Sequence, residues 1–496
     1  MQYKEKEMSQ DAISNLISLA INNQAADPED SIYLRNRTMA LVGEKVPTAE
    51  YSYNPQVIID ALVNLAIQNN KISNSITDKE LLASQLMDIA APLPSAINRE
   101  FNNIFNQRGS LAATTYFYNL CKSDNDIQTA AIKKNIEFTA NKLEITINLS
   151  KPEKDPKAIA AALHQTDENK YPKCQLCLEN EGYLGRVGYP ARSNHRVIRI
   201  NVNENTWGFQ YSPYAYFPEH AIFIDQDHVP MKISKQTFKN LFEIIDKFPH
   251  YFVGSNADLP IVGGSMLTHE HYQGGRHSFP MMKASISESI QNPLDNNSAT
   301  IGIVNWPMTA FRIQSNSKED VVNTAEFIRQ RWFDYTDISV DIRAFTDNER
   351  HHTVTPIAYF NDDKLYTLDI VLRDNQTSEK YPDGIFHPHK DVQHIKKENI
   401  GLIEVMGRAI FPPRLVSEMN EVQKYLLNKD NKIADYHLPW AKEIKKKHSK
   451  ILEDNVEGIV HEEIGTTFEE VLKDAGVFKW NIQGRKALDK FVKSLY

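Results

Sequence analysis

Asp258 to Met281 reads DLPIVGGSMLTHEHYQGGRHSFPM. Taken as extended chain, its centre puts His269, His271 and Gln273 on one face and Glu270 and Tyr272 on the other. Three hydrogen-bonding side chains on one face are poor core material. Burying each without a partner costs about 1–3 kcal/mol, so that face is expected to meet a ligand, a metal or water.

Glycines crowd both ends of the segment: Gly263 and Gly264, followed by Ser265, stand before the histidines, and Gly274 and Gly275 after them. Such positions let backbone approach a phosphate and leave amides to donate to it. Arg276 adds a permanent cation and His277 a further donor. Imidazole, neutral near pH 7, attacks phosphorus and forms an adduct reactive enough to be discharged onto a second acceptor. Gln273 can donate to a phosphoryl oxygen but cannot give up a proton as an acid. A histidine-rich loop with satisfied hydrogen bonds is the plain alternative. Five such side chains, His269, His271, Gln273, Arg276 and His277, within nine residues argue against it.

Working outward, apolar periodicity marks the flanking elements. Ile13, Leu16, Ile17 and Ala20 fall at helical spacing, and Asn54 with Pro55 starts a helix carrying Ile58, Ala61, Leu62, Leu65 and Ala66. From Leu143 to Leu149 the period switches to two, predicting a half-buried strand, and Asp155 with Pro156 then opens a short Ala-rich helix. Strands are expected at Val197 to Val202, Ala221 to Ile224 and Tyr366 to Leu372. A helix follows Ser234 with Phe238, Leu241, Phe242 and Ile245 on one face, and another is opened by the box Thr467, Phe468, Glu469, Glu470. Strands and helices without strict βαβ alternation predict an α+β protein. The divisions expected are a helical region over 1–140, a half with the histidine segment over 141–300, and a second half ending in helices over 301–496.

Cys174 and Cys177 form a CxxC, half of a tetrahedral zinc site. A redox pair is the weaker reading, because the motif runs into a loop instead of opening a helix. Three cysteines in 496 residues cannot make a disulfide framework. The hydrophobic share of 41%, the charged share of 24% and the net charge of -8 fit a soluble globular chain and give no reason to expect nucleic acid or membrane as partners. The opening MQYKEKEMSQ is charged where a secretion signal turns apolar, so the cytoplasm is the expected location. Neither a P-loop nor a dinucleotide fingerprint occurs, which removes the kinase and dehydrogenase readings and leaves no organic cofactor expected.

The histidine segment resembles the signature of the second class of galactose-1-phosphate uridylyltransferases, found mainly in Gram-positive bacteria and grouped with the histidine-triad superfamily. The resemblance extends to YPKCQLCLENEGYLGR at 171–186, HHTVTPIA at 351–358 and GIFHPHKDVQHIKKENIGLIEVMG at 384–407. It implies histidine-triad-like mixed and antiparallel sheets flanked by helices, with an N-terminal helical region. It also implies transfer of UMP from UDP-glucose to galactose 1-phosphate in galactose metabolism, with His271 as the nucleophile. Glutamine at position 273 goes with transferases, whereas the related hydrolases usually carry histidine there. The first class has HPH where this chain has His269, Glu270, His271, a departure that loosens the backbone and adds a carboxylate without an assigned role.

By the same resemblance, zinc is a candidate cofactor on Cys174, Cys177, His228 and His269. A homodimer is a candidate assembly. The second HxH, His387 and His389, is expected either to help bind the sugar nucleotide or to serve the fold, with a metal role as a further alternative. Arg186, Arg192, Arg373 and Asn375 are candidate phosphate or hexose contacts. The competing readings are a nucleotide hydrolase or phosphorylase and a silent sugar-nucleotide binder.

Overall fold

A computed structural model describes residues 11–150, 171–264 and 266–496. The helix expected from Asp155 and Pro156, and Ser265, lie outside the described residues. The chain divides into two units, each assembled from separate stretches of sequence.

Of the described residues, the first unit comprises 11–133, 150, 171–215 and 219–228. Its N-terminal part is helical because the apolar spacing is helical. Ile13, Leu16, Ile17 and Ala20 are fully buried in the helix Ala12–Asn22, whose start is capped by Asp11 accepting from the Ser14 amide at 2.8 Å. Asn54 caps the helix Pro55–Gln68, accepting from Gln56 N at 3.0 Å. The face carrying Ile58, Leu62 and Ala66 packs against Leu82 and Leu86 of the helix Ile76–Ile89. Each leucine or isoleucine side chain so removed from water contributes about 1.5–3 kcal/mol. The unit also holds the antiparallel strands Ile198–Val202, Asn205–Tyr211 and Ala221–Asp225.

The second unit comprises residues 134–149, 216–218 and 229–496. Its larger sheet runs, neighbour to neighbour, through His271–Gly275, Phe252–Gly254, His352–Phe360, Tyr366–Asp374, Ala310–Ser315, Thr300–Val304 and Ile286–Ile290, all antiparallel. Helix Lys235–Lys247 buries Phe238, Leu241, Phe242 and Ile245 completely, and Ser234 caps it. A smaller mixed sheet puts Leu143–Ile147 between Ile136–Ala140, antiparallel, and Arg408–Phe411, parallel. The α+β class and the mixed and antiparallel sheets are therefore as expected.

Two local expectations change. The strand from Leu143 is buried on both faces, Thr146 included, because it is the central strand of its sheet. Thr467 opens no helix: it lies inside the helix Val456–Ala475, with its hydroxyl donating to Glu463 O one turn back at 2.9 Å. A threonine satisfied in this way continues a helix instead of capping one. No helix of the described residues is long and apolar enough to cross a membrane.

Candidate active site and metal-ligand cluster

The strand His271–Gly275 pairs with Phe252–Gly254, matching Gln273 with Gly254, Gly274 with Val253 and Gly275 with Phe252. His269, His271 and Tyr272 are buried and Gln273 is half-buried. The His271 Nδ1 atom lies 2.8 Å from the carbonyl oxygen of His269. A carbonyl can only accept, so Nδ1 carries the proton and Nε2 keeps its lone pair. That is the tautomer a phosphorus nucleophile needs.

The opposite face of the segment is tied down in detail. The Tyr272 hydroxyl donates to Glu270 Oε1 at 2.7 Å and accepts from Asn240 Nδ2, on the helix Lys235–Lys247, at 3.1 Å. Lys232 N donates to Glu270 Oε2 at 2.9 Å, and Glu270 N donates to Val229 O at 2.7 Å. Burial, and then the neighbouring Glu270, push the Tyr272 phenol well above its usual pKa, so it keeps the proton it donates. Glu270, Tyr272 and Asn240 were not named as site residues from sequence. The available signal was the alternation that puts Glu270 and Tyr272 on one face.

The glycine loop is close-packed. Gly263 forms a parallel bridge with Ala257, and a Cβ there would stand 2.6 Å from the carbonyl oxygens of Ala257 and Leu259. At Gly264 a Cβ would meet the Asn256 amide at 2.7 Å, while Asn256 Oδ1 accepts from Leu402 N at 2.8 Å. Arg276 is exposed, and burial followed by its positive charge lowers the His250 pKa to about 4. His277 Nε2 lies 2.8 Å from Glu144 Oε2, and the same carboxylate oxygen is 3.1 Å from Arg408 Nε. Burial works against the ionised Glu144, but the bond from His277 and the charges of His277, Arg408 and Lys283 hold its pKa below the usual value.

Strand register places Arg373 on the histidine face. Gln273 pairs with Gly254, Gly254 with Ile357 and Ile357 with Asp369; Arg373 lies four residues beyond Asp369 on the same side. It is 1% exposed and donates to Thr355 Oγ1 at 3.2 Å and Ile400 O at 2.9 Å, and burial lowers its pKa to about 10. Its guanidinium thus holds the 400 loop over the sheet. Asn375 directly follows the strand Tyr366–Asp374, with its side-chain oxygen 2.9 Å from His351 Nδ1. In the second HxH, His387 is buried 3.3 Å from Asn399 Oδ1. His389 stacks on Tyr381 and lies 3.1 Å from Asp474 Oδ1.

In the first unit, Cys174 Sγ is 3.2 Å from Cys177 Sγ, which is 3.2 Å from His228 Nδ1. Asn180 braces this loop by donating to Cys174 O at 2.8 Å and Cys177 O at 2.9 Å, and Tyr189 donates to Cys174 O at 2.9 Å. Arg186 stands over the Tyr189 ring and donates to Tyr171 O at 3.1 Å, which makes it a brace of the same loop. Arg192 donates to Ala191 O at 3.4 Å, and its backbone bridges Tyr183. The ligand atoms of Cys174, Cys177, His228 and His269 all lie within 4.8 Å of one another, a group able to hold a metal ion. Two sulfurs and two imidazoles are the donor set of a closed tetrahedral zinc site.

Residues 24–230 match the family description "Galactose-1-phosphate uridyl transferase, N-terminal domain", and residues 243–442 match its C-terminal domain. The chain belongs to the galactose-1-phosphate uridyl transferase family. It is 56% identical to the galactose-1-phosphate uridylyltransferase of Pediococcus pentosaceus, over 94% of this chain and 96% of that protein. The protein of the same name from Lactiplantibacillus plantarum is 57% identical over 94% of this chain and 96% of its own length. Among solved structures, yeast Ap4A phosphorylase Apa2 matches with a TM-score of 0.28 and 11% identity, over 57% of this chain and 85% of that one.

Proposed function

We propose that this chain is a UDP-glucose:hexose-1-phosphate uridylyltransferase that works by double displacement at His271. Nε2 of His271 attacks the α-phosphorus of UDP-glucose; the N–P bond forms as the P–O bond to glucose 1-phosphate breaks. A phosphate oxygen of galactose 1-phosphate then attacks the same phosphorus, the N–P bond breaks, and UDP-galactose leaves. The observation that supports this reading is the 2.8 Å contact from His271 Nδ1 to His269 O, which puts the ring proton on Nδ1 and makes Nε2 the nitrogen that carries the lone pair.

Gln273 and the backbone of Gly263, Gly264, Gly274 and Gly275 serve as donors to the phosphoryl oxygens, with Arg276 supplying charge. His277 and Asn375 line the substrate side, while Arg186 and Arg373 keep the surrounding loops in place. Cys174, Cys177, His228 and His269 would hold zinc. With all four positions filled, the ion would supply a fixed anchor for its ligands and no open coordination place. The reading includes the cytoplasm as location, consistent with cysteines too few for a disulfide framework, and a homodimer. Support for the dimer comes from Ile32 and Tyr33 on the helix Ser31–Val42, Val57 on the helix Pro55–Gln68, and Tyr51 and Tyr53 in the segment between them, all of which stand exposed.

Initial rates of UDP-galactose formation, varied in both substrates, test the scheme. Parallel double-reciprocal lines are expected, and intersecting lines would contradict a covalent intermediate.

A further inference from the structure

The peptide unit between His269 and Glu270 is held at both ends. Its carbonyl oxygen accepts from His271 Nδ1 at 2.8 Å, and its N–H donates to Val229 O at 2.7 Å. The Glu270 side chain reaches the same 229–232 segment through Lys232 N at 2.9 Å, and the strand's own Tyr272 at 2.7 Å. Tyr272 in turn joins the helix Lys235–Lys247 through Asn240 at 3.1 Å. A single buried carboxylate therefore links the segment before the helix to the strand that carries the nucleophile, with the helix attached through Tyr272.

We infer that Glu270 is a positioning residue of the nucleophile: its carboxylate, bonded to Lys232 N and the Tyr272 hydroxyl, fixes the His269–Glu270 peptide whose carbonyl sets the His271 tautomer. This rests on the reading of His271 as the uridylyl acceptor. The chemistry asks for it. An imidazole left to itself shares its proton between Nδ1 and Nε2, and only the Nδ1–H form presents Nε2 to phosphorus. The tautomer is set by the hydrogen bond at the other nitrogen, so a carbonyl that can rotate away loses control of it. Orientation losses of this size are felt strongly in rate, because about 1 Å of misplacement can cost 100-fold. A proline at this position would stiffen the chain through its ring and would carry no N–H. Here hydrogen bonds to the backbone and side chain of Glu270 do that work. The carboxylate lies on the face of the strand opposite the histidines, so it acts through them and not on substrate.

The test uses the full-length protein and two variants, Glu270→Gln and Tyr272→Phe. Glutamine keeps the volume and one acceptor but must point an amide N–H toward one of two donors; phenylalanine deletes the hydroxyl's bonds to Glu270 and Asn240 and keeps the packing. The readouts are the single-turnover rate of uridylyl-histidine formation from UDP-glucose and the 15N shifts of the His271 ring nitrogens in histidine-labelled protein without substrate, assigned with His271→Asn. The expected result for Glu270→Gln is a rate about 10- to 100-fold lower with KM for UDP-glucose within about twofold, and ring shifts moved toward the average of the two tautomers. Tyr272→Phe is expected to shift both in the same direction by less. Wild-type rates or wild-type ring shifts in a folded Glu270→Gln protein overturn the inference. Should wild-type protein form no adduct at all, the uridylyl-transfer reading fails, and the ring shifts alone still decide whether Glu270 sets the tautomer.

Discussion

His271 Nδ1 stands 2.8 Å from the carbonyl oxygen of His269, so the backbone two places earlier decides which of the ring nitrogens carries the proton. The first histidine of the pair thus serves twice: its ring belongs to the metal-ligand group and its backbone orients the second histidine.

Gln273 lies on the strand with His271, paired to Gly254, and is half-buried. Loss of a donor aimed at developing oxyanions costs about 100-fold. Gln273→Ala is expected to slow adduct formation by about that factor. Gln273→His, which supplies an acid, is expected to raise UMP release to water relative to UDP-galactose formation. Chromatography of the products checks both, and an unchanged product ratio in the histidine variant contradicts the role given to the amide.

Gly263 has its Cβ position 2.6 Å from two carbonyl oxygens, a distance side-chain carbons do not adopt. Gly263→Ala is expected to push the loop off its bridge to Ala257, destabilise the fold by about 1–3 kcal/mol and raise KM for UDP-glucose. Denaturant unfolding and steady-state kinetics measure the two effects.

The metal-ligand group predicts about one equivalent of zinc per chain in purified protein. Cys174→Ser is expected to lose most of that metal and to unfold at lower temperature, because a closed site contributes its binding free energy to folding. Elemental analysis with a melting curve tests this. Fully active protein without zinc contradicts the assignment.

His389 is paired with Asp474, and the bond from that carboxylate raises its pKa above 6.5 against the opposing effect of burial. A histidine with a raised folded pKa contributes stability that is complete below its unfolded value and is lost as pH rises through the folded one. The melting temperature of wild type should therefore fall between pH 6 and pH 8 by more than that of His389→Gln. The variant should be less stable at pH 6 by about 1–2 kcal/mol. Equal slopes for the two proteins would rule the pair out as a pH-dependent contact.

How far the sequence could be read depended on the range of the interactions. Ile13 to Ala20, Ile58 to Ala66 and Phe238 to Ile245 declare their helices because a buried face repeats every three or four residues. The alternation about His271 gave the candidate face and, through Glu270 and Tyr272, the opposite one. Partners far apart in sequence stayed hidden. Arg312 meets Asp369 at 2.8 Å and Lys396 meets Glu404 at 2.6 Å, and neither pair leaves a local pattern. Thr467 misled because a helix-starting box and a back-bonded threonine within a helix share their letters; the hydroxyl's acceptor, Glu463 O, decides between them.

The central claim is that His271 takes up UMP covalently. Wild-type protein and His271→Asn are incubated with UDP-glucose labelled at the α-phosphate, quenched, and assayed for an acid-labile adduct. The account predicts label on wild type, discharged by galactose 1-phosphate as UDP-galactose, and none on the variant. A labelled His271→Asn protein, or an unlabelled wild type that still forms UDP-galactose, would contradict it.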